Sequence, residues 1–597
     1  MSAAPVPSQA PLSGRSFHLI GVGGAGMSVV AQLLAEEGAA VTGSDSHDGP
    51  ALDRLRRIGV GVSVGHDAAH VPAGAVVVVS TAIKEANPEL AAARARGQEV
   101  VHRSQALALA ARGRDFVAVA GAHGKTTTSG MLAEALTVAG RDPSFAIGGV
   151  VRALGTGAHV GAGRAFIAEA DESDRSFLNY EPLIEVVTNV EPDHLDNYGT
   201  PEAFERAFLD FARNCLRPGG RLIVCVDDPG GARLARAAAE WGVSVTTYGA
   251  SGPGEGEGGR LVDDAHVRVE ITERRADGTS ATLTLWSDET AGGGPGPVRP
   301  EDCAVTGPIP LELNVPGDHV ALDAAGAWAA GIELGVDPAL MARSLGAFGG
   351  TGRRFEDRGE ADGVRVVDDY AHHPTEIEAL LRTARRVADE RGGRVLVLFQ
   401  PHLFSRTEAF ADRFGAALAL ADEAVVAPVY PARETQEDFP LVTGATVADR
   451  VPGGARYLAD GRAAARLIAD EARPGDLVLT VGAGDVTSMD LIREDRHPVG
   501  RGQRGHGVEL GRGERPSHRV PRVAQHEQTG PGVHGGLDAV KVQLPSGRAV
   551  GGPSRCRGDL DAAPAVTTGN LKEGCVGGGG DDDGGGGSGV RGDDHAQ

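Results

Sequence analysis

The stretch AVAGAHGKTTTSG, from Ala118 to Gly130, restricts what this chain can fold into more than any other segment. Phe116 to Ala120 is an apolar run of strand length, and Thr126 to Ala139 has helical periodicity that puts Leu132, Ala135, Leu136 and Ala139 on one expected face. Gly121 and Gly124 form the turn between them. A glycine turn joining a strand to a helix aims free backbone N–H groups and the positive helix end at one point, which suits a polyphosphate. Gly121, Ala122, His123, Gly124, Lys125, Thr126 and Thr127 are therefore the expected nucleotide loop, with Lys125 as a point charge and Thr126 offering a hydroxyl to Mg²⁺. The spacing is G-x-x-G-K-T, shorter than the usual G-x-x-x-x-G-K-[ST], because Val119 stands where the first glycine would be.

A second glycine loop lies upstream. GVGGAG places Gly21, Gly23 and Gly26 as G-x-G-x-x-G after an expected strand, Phe17 to Val22, and before an expected helix, Met27 to Glu37. Glycines there let a pyrophosphate approach the backbone. Asp45 follows about twenty residues on, as a dinucleotide site would require, so a nicotinamide oxidoreductase is one reading. That reading gives Lys125 no role. Two glycine loops on successive α/β units imply two phosphate-bearing ligands.

The 597 residues are too many for one core. Strands at Ala39 to Thr42, Ala75 to Ser80, Ala165 to Ala168, Glu185 to Val190 and Arg221 to Val226 alternate with helical stretches, which predicts parallel sheets. A third α/β unit has expected strands at Val364 to Val367, Val395 to Phe399, Ala424 to Val429 and Leu477 to Val481. Its helix after Pro374 should bury Ile377, Leu380, Leu381, Ala384 and Val387. Between about Gly249 and Gly307, glycine and acidic residues predict hairpins and surface loops.

A formal net charge of −23 argues against binding to nucleic acid or an anionic membrane, so any phosphate must be gripped locally. The five cysteines have neither C-x-x-C nor zinc-finger spacing, and no run reaches the ~20 apolar residues of a membrane span, which predicts a cytoplasmic protein without membrane insertion.

Four further motifs fall where expected strands end. AEADESD brings Glu169 and NVEPDHLDNYG brings His194 toward the lysine loop, because ligands of open parallel sheets sit at the carboxyl ends of strands. A carboxylate and an imidazole suit a divalent ion. VVDDYAHHPTE and FQPHLFSRT do the same in the third unit, where His402 and Arg406 stand out and an arginine is the natural fork for a carboxylate. TGRRFE adds Arg353 and Arg354.

These motifs, in this order from about Phe17 to Arg493, resemble the Mur ligase family. The resemblance implies an α/β, three-domain architecture. A Rossmann-like domain at 16–112 would bind a UDP substrate, a P-loop ATPase-like domain at 113–344 would bind ATP, and a Rossmann-like domain at 345–494 would bind the amino acid. A flexible N-terminus at 1–15 and a disordered, low-complexity tail at 495–597 would flank them; the tail reads equally as a genuine extension or as an out-of-frame stretch of a GC-rich gene.

The resemblance also implies ATP, Mg²⁺, UDP-N-acetylmuramate and L-alanine as ligands, joined through an acyl phosphate. It assigns Lys125, Glu169, His194 and Arg354 to catalysis, and Thr126, Glu169 and His194 to metal. His319 and Asp369 join the loop around ATP; Gly21, Gly23, Gly24, Ala25, Gly26 and His66 hold the UDP substrate; Tyr370, His372 and Arg406 meet the amino acid. Three positions depart from the family pattern: Val320 and Asp323 stand at usual asparagines near the adenine, and Leu403 at a frequent arginine.

Overall fold

Runs of apolar residues build three sheets, whose central strands, such as Ile184–Val187, Val395–Phe399 and Leu477–Val481, are buried along their whole length because both faces are covered. The computed structural model describes residues 12–250, 265–288 and 303–486. The expected tail, most of the expected flexible N-terminus, and the glycine-rich runs SGPGEGEGG and AGGGPGPVRP lie outside these described residues.

The first sheet has five parallel strands in the spatial order Gly61–Val64, Ala40–Asp45, Ser16–Ile20, Val76–Val79, Val100–His102. Its winding direction reverses beside Ser16–Ile20, and the crevice at such a reversal is where a ligand fits. Phe17 and Leu19 pack on the side of Leu33 and Leu34, whereas Ile20 packs with Val77, Leu90 and Ala93 on the other. The glycine loop follows Ser16–Ile20 and leads into the helix Ala25–Glu36.

In the second, ten-stranded sheet, Asp115–Ala120 runs parallel between Ala165–Glu169 and Ile184–Val187. An antiparallel extension, Val267–Arg275, Gly278–Asp288 and Cys303–Leu313, forms the hairpins expected in that region. The helix Lys125–Val138 differs from its expected one-sided stripe: every residue from Thr128 to Leu136 is buried. Its outer side is covered by the helix Asp318–Glu333, whose Trp328 shares a core with Val117, Val119, Met131 and Leu132. Each large apolar side chain so buried contributes roughly 2 kcal/mol.

The third sheet orders Glu356–Ala361, Val364–Asp369, Leu477–Val481, Val395–Phe399, Glu423–Val426 and Arg456–Tyr457. Val364–Asp369 is two residues longer than the sequence predicts, so Asp368 and Asp369 belong to the strand. The helix Pro374–Arg391 buries Ile377, Leu380, Leu381, Ala384 and Val387 as expected.

Ion pairs lock the second sheet's loops to the third. Glu191 accepts hydrogen bonds from His123 (3.0 Å), from the Thr375 hydroxyl (2.8 Å) and from Arg413 (2.8 Å). Glu376, on the helix Pro374–Arg391, lies 3.7 Å from the other nitrogen of His123. Burial alone would push the His123 imidazole down, but the Glu191 and Glu376 carboxylates outweigh it and raise its pKa to about 9. A raised histidine pKa stabilises the fold fully below the ordinary value of about 6.5, and that contribution is lost as pH rises through the folded value. Unfolding by heat or urea of the full chain should therefore lose about 3 kcal/mol of stability between those limits. The same series on His123→Gln should lack that loss; an unchanged pH slope would remove His123 from the interface.

Candidate active site

The phosphate loop owes its shape to two glycines with positive φ, Gly121 at 134° and Gly124 at 80°. A Cβ on Gly121 would stand 2.1 Å from the Thr188 hydroxyl oxygen, so only glycine fits. Lys125 opens the following helix. Its Nζ donates to the carbonyls of Gly121 (2.6 Å) and Ala122 (3.2 Å) and pairs with Glu172 at 2.9 Å. Glu172 is a residue that sequence reasoning passed over in favour of Glu169. Burial pushes its carboxyl up to about 7 against the pull of the Lys125 ammonium, with Asp171 adding to the rise. Its carbonyl accepts a hydrogen bond from the Tyr198 hydroxyl at 2.5 Å, which ties this loop to the one carrying His194. The second glutamate of AEADESD was the available signal.

Glu169 ends its strand beside the loop, accepting from the Gly148 N–H at 2.7 Å, and lines the larger cavity with Thr126. His194 is held in a left-handed conformation, φ 51°, with Nε2 3.6 Å from Asp193 and 3.9 Å from Glu172. Its Nδ1 is buried and has no hydrogen-bond partner. Burial lowers the His194 pKa, assisted by Arg406 and Lys125, so the ring is neutral, the form a metal requires. A hydroxyl, a carboxylate and one open imidazole nitrogen make a donor set that fits a divalent cation.

A second group, His123, Glu191 and His373, is close enough to suggest another metal site. Its geometry does not support one. The two rings stack at 4.6 Å with planes 32° apart, and imidazole lone pairs lie in the ring plane, so they run side by side instead of converging. His373 Nδ1 faces the Thr375 N–H as a helix cap. The group serves the interface described above.

Two cavities meet at the loop. The larger, about 460 Å³, is walled by Gly24, Ala25 and Gly26 on the first domain; by Ala122, Lys125, Thr126, Glu169 and His194 on the second; and by Tyr370, His372 and Arg406 on the third. The other, about 350 Å³, takes in Thr127, His319, Val320, Asp323 and Asp369. His123, Gly124 and Arg354 line both. Gly21, Gly23, Gly121 and His66 are in neither wall. Asp45 accepts from the Gly23 N–H at 2.9 Å and so braces its own turn, where a nicotinamide reading would place it on a ribose. His66 bonds to Ser44 (2.9 Å) and to the buried Glu89 (3.2 Å).

On the third domain, Arg353 braces the sheet through Asp368 and the Gly482 carbonyl, whereas Arg354 reaches the cavities, 3.4 Å from Glu376 and over the Tyr370 ring. Arg406 is almost wholly buried and forks onto Asp193 with both Nη2 contacts at 2.9 Å. The Arg406 guanidinium holds the Asp193 carboxyl well below the usual range despite its burial. Leu403 lines the larger cavity with φ 67° and ψ 134°, a strained backbone for a side chain of that size. Asp323 packs against Gly124, and burial raises its carboxyl to about 7.

Comparison with known proteins bears on all three domains. Residues 16–115 match the Mur ligase family catalytic domain, 119–330 the Mur ligase middle domain, and 353–484 the Mur ligase glutamate ligase domain. The chain is 53% identical over 480 residues to the UDP-N-acetylmuramate-L-alanine ligase of Kineococcus radiotolerans, an alignment spanning 79% of this chain and 94% of that protein. Its identity to the ligase of the same name from Paenarthrobacter aurescens is 48% over 477 residues, or 80% of this chain and 95% of the other. Among solved structures, UDP-N-acetylmuramate-alanine ligase from Thermotoga maritima superposes with a TM-score of 0.62 at 27% identity, covering 79% of this chain and 97% of that one. The chain belongs to the Mur ligase family.

Proposed function

We propose that this protein joins L-alanine to UDP-N-acetylmuramate at the expense of ATP, in the cytoplasm, as an early step of peptidoglycan precursor synthesis. The observation that carries the reading is one cavity whose walls come from all three domains: a glycine loop from the first, Lys125 with Glu169 and His194 from the second, and Arg406 with Tyr370 from the third.

The chemistry follows from the residues. The glycine loop at Gly24 to Gly26 holds the substrate diphosphate, and the loop at Gly121 to Thr127 holds the ATP phosphates. Base and ribose lie in the smaller cavity, by His319 and Asp323. Lys125 neutralises charge as the substrate carboxylate attacks the γ-phosphate, producing an acyl phosphate and ADP. Thr126, Glu169 and His194 would hold a Mg²⁺, which would supply Lewis-acid stabilisation of the phosphoryl oxygens. Arg354 stabilises the same developing charge from the third domain. Arg406 and Tyr370 place the amino acid so that its neutral amine displaces phosphate through a tetrahedral intermediate. Little covalent work falls to the protein; it positions the reactants and excludes water.

Phosphate release by the purified protein with ATP and Mg²⁺ tests this. Release should need both UDP-N-acetylmuramate and L-alanine, and mass spectrometry should show the amide. Turnover that ignores either substrate would overturn the reading. Lys125→Met should lower kcat by about a thousandfold or more in a protein that remains folded, because a charge made useful only as the phosphoryl group moves is lost. Asp323 generates a pH prediction. Its raised carboxyl is neutral below about 7 and ionised above it, and an ionised form beside Gly124 repels the polyphosphate. The KM for ATP should then rise about tenfold for each pH unit above that point, and Asp323→Asn should flatten the rise. Parallel profiles for the two proteins would clear Asp323 of the effect.

A further inference from the structure

Arg103 opens the helix Arg103–Ala110 on the first domain, and no other cation from that domain is among the residues described in the wall of the larger cavity. Its Nη1 lies 3.3 Å from where a Cβ on Gly26 would stand, so the guanidinium covers the start of the helix Ala25–Glu36. That helix has no side-chain cap and no acidic residue in its first turn. Its leading N–H groups have no intrahelical acceptor, and its dipole is positive at that end. Two positive features of independent origin thus face one point. The anion that meets Arg103 comes from another domain: Asp171 at 2.5 Å, with Asp174 at 3.9 Å. Arg103 is largely buried, and a buried guanidinium requires an anion at all times.

We propose that Arg103 is a diphosphate-binding residue, paired with Asp171 until the substrate's nucleoside diphosphate arrives and then transferred to that anion. The inference rests on the reading of Gly24 to Gly26 as the UDP-substrate loop. A guanidinium fork matches two oxygens of a phosphate as well as two of a carboxylate, so the exchange replaces one charge-assisted pair by another and never leaves Arg103 unpaired. Asp171 keeps a partner after release, because its other oxygen accepts from the Ser173 N–H at 2.9 Å. No bond is made or broken in the exchange.

Calorimetric titration of the full chain with UDP, and separately with ADP, tests the inference. Arg103→Gln should weaken UDP binding by about tenfold or more while ADP binding stays within about twofold of wild type. Asp171→Asn removes the same ion pair and leaves the guanidinium only the weaker Asp174 contact at 3.9 Å, so UDP should bind that variant as tightly as wild type or more tightly. Unchanged UDP affinity in Arg103→Gln would overturn the inference. So would equal losses of UDP and ADP in that variant, or a loss of UDP binding in Asp171→Asn matching that of Arg103→Gln, since each assigns Arg103 to holding the domains together. A wild-type protein that binds ADP but not UDP would overturn the reading of the loop itself.

Discussion

A buried ammonium must be satisfied in full, and much of the site follows from how Lys125 achieves this. Two of its partners are carbonyls of its own loop, which bends back over the side chain because Gly121 and Gly124 adopt positive φ. The third is Glu172, which reaches Lys125 because Ala165–Glu169 is the neighbour of Asp115–Ala120 in the sheet. Glu172 in turn is anchored through its carbonyl to Tyr198, and the segment bearing Tyr198 carries His194. One charge therefore fixes three loops. Removing the positive charge would leave Glu172 buried without a partner, at a cost of several kcal/mol in a real protein interior.

The same device recurs at each wall of the cavity. Lys125 holds Glu172, Arg103 holds Asp171, and Arg406 holds Asp193. Each cation faces the place where an anionic ligand group is proposed to bind, and each is matched by a carboxylate of the protein. A cavity lined with unpaired cations would destabilise the fold before any ligand arrived. Internal carboxylates remove that penalty and leave ligand binding as an exchange of partners. Two of the pairs, those of Arg103 and Arg406, also cross between domains, so exchanging partners there alters what holds the domains in register.

The glycine loops were legible in the sequence because their requirements are local. A positive φ, a close backbone approach and a strand leading into a helix all leave marks within about ten residues. The ends of Val395–Phe399 and Leu477–Val481, and the buried stripe of Pro374–Arg391, were legible for the same reason. The partners of the cations were not. Glu172 lies 47 residues from Lys125, Asp171 lies 68 from Arg103, and Asp193 lies 213 from Arg406. Only the strand order brings them together, and periodicity does not encode strand order. The helix Lys125–Val138 shows the same gap, since the segment that buries its outer side comes from Asp318–Glu333.

The departures from the family pattern can be weighed on physical grounds. Val320 is buried in the core beside the smaller cavity, where an apolar side chain needs no partner, so packing accommodates it. Asp323 is different. It occupies a buried wall against Gly124, and burial raises its carboxyl to about 7. A neutral carboxylic acid has one donor and one acceptor face, as an amide does, and can take the amide's place only while it holds its proton. The substitution thus preserves the shape of the site and makes its charge depend on pH. Leu403 changes the larger cavity in another way: it puts an apolar surface next to Arg406, and an apolar surface beside a buried ion pair excludes the water that would weaken it.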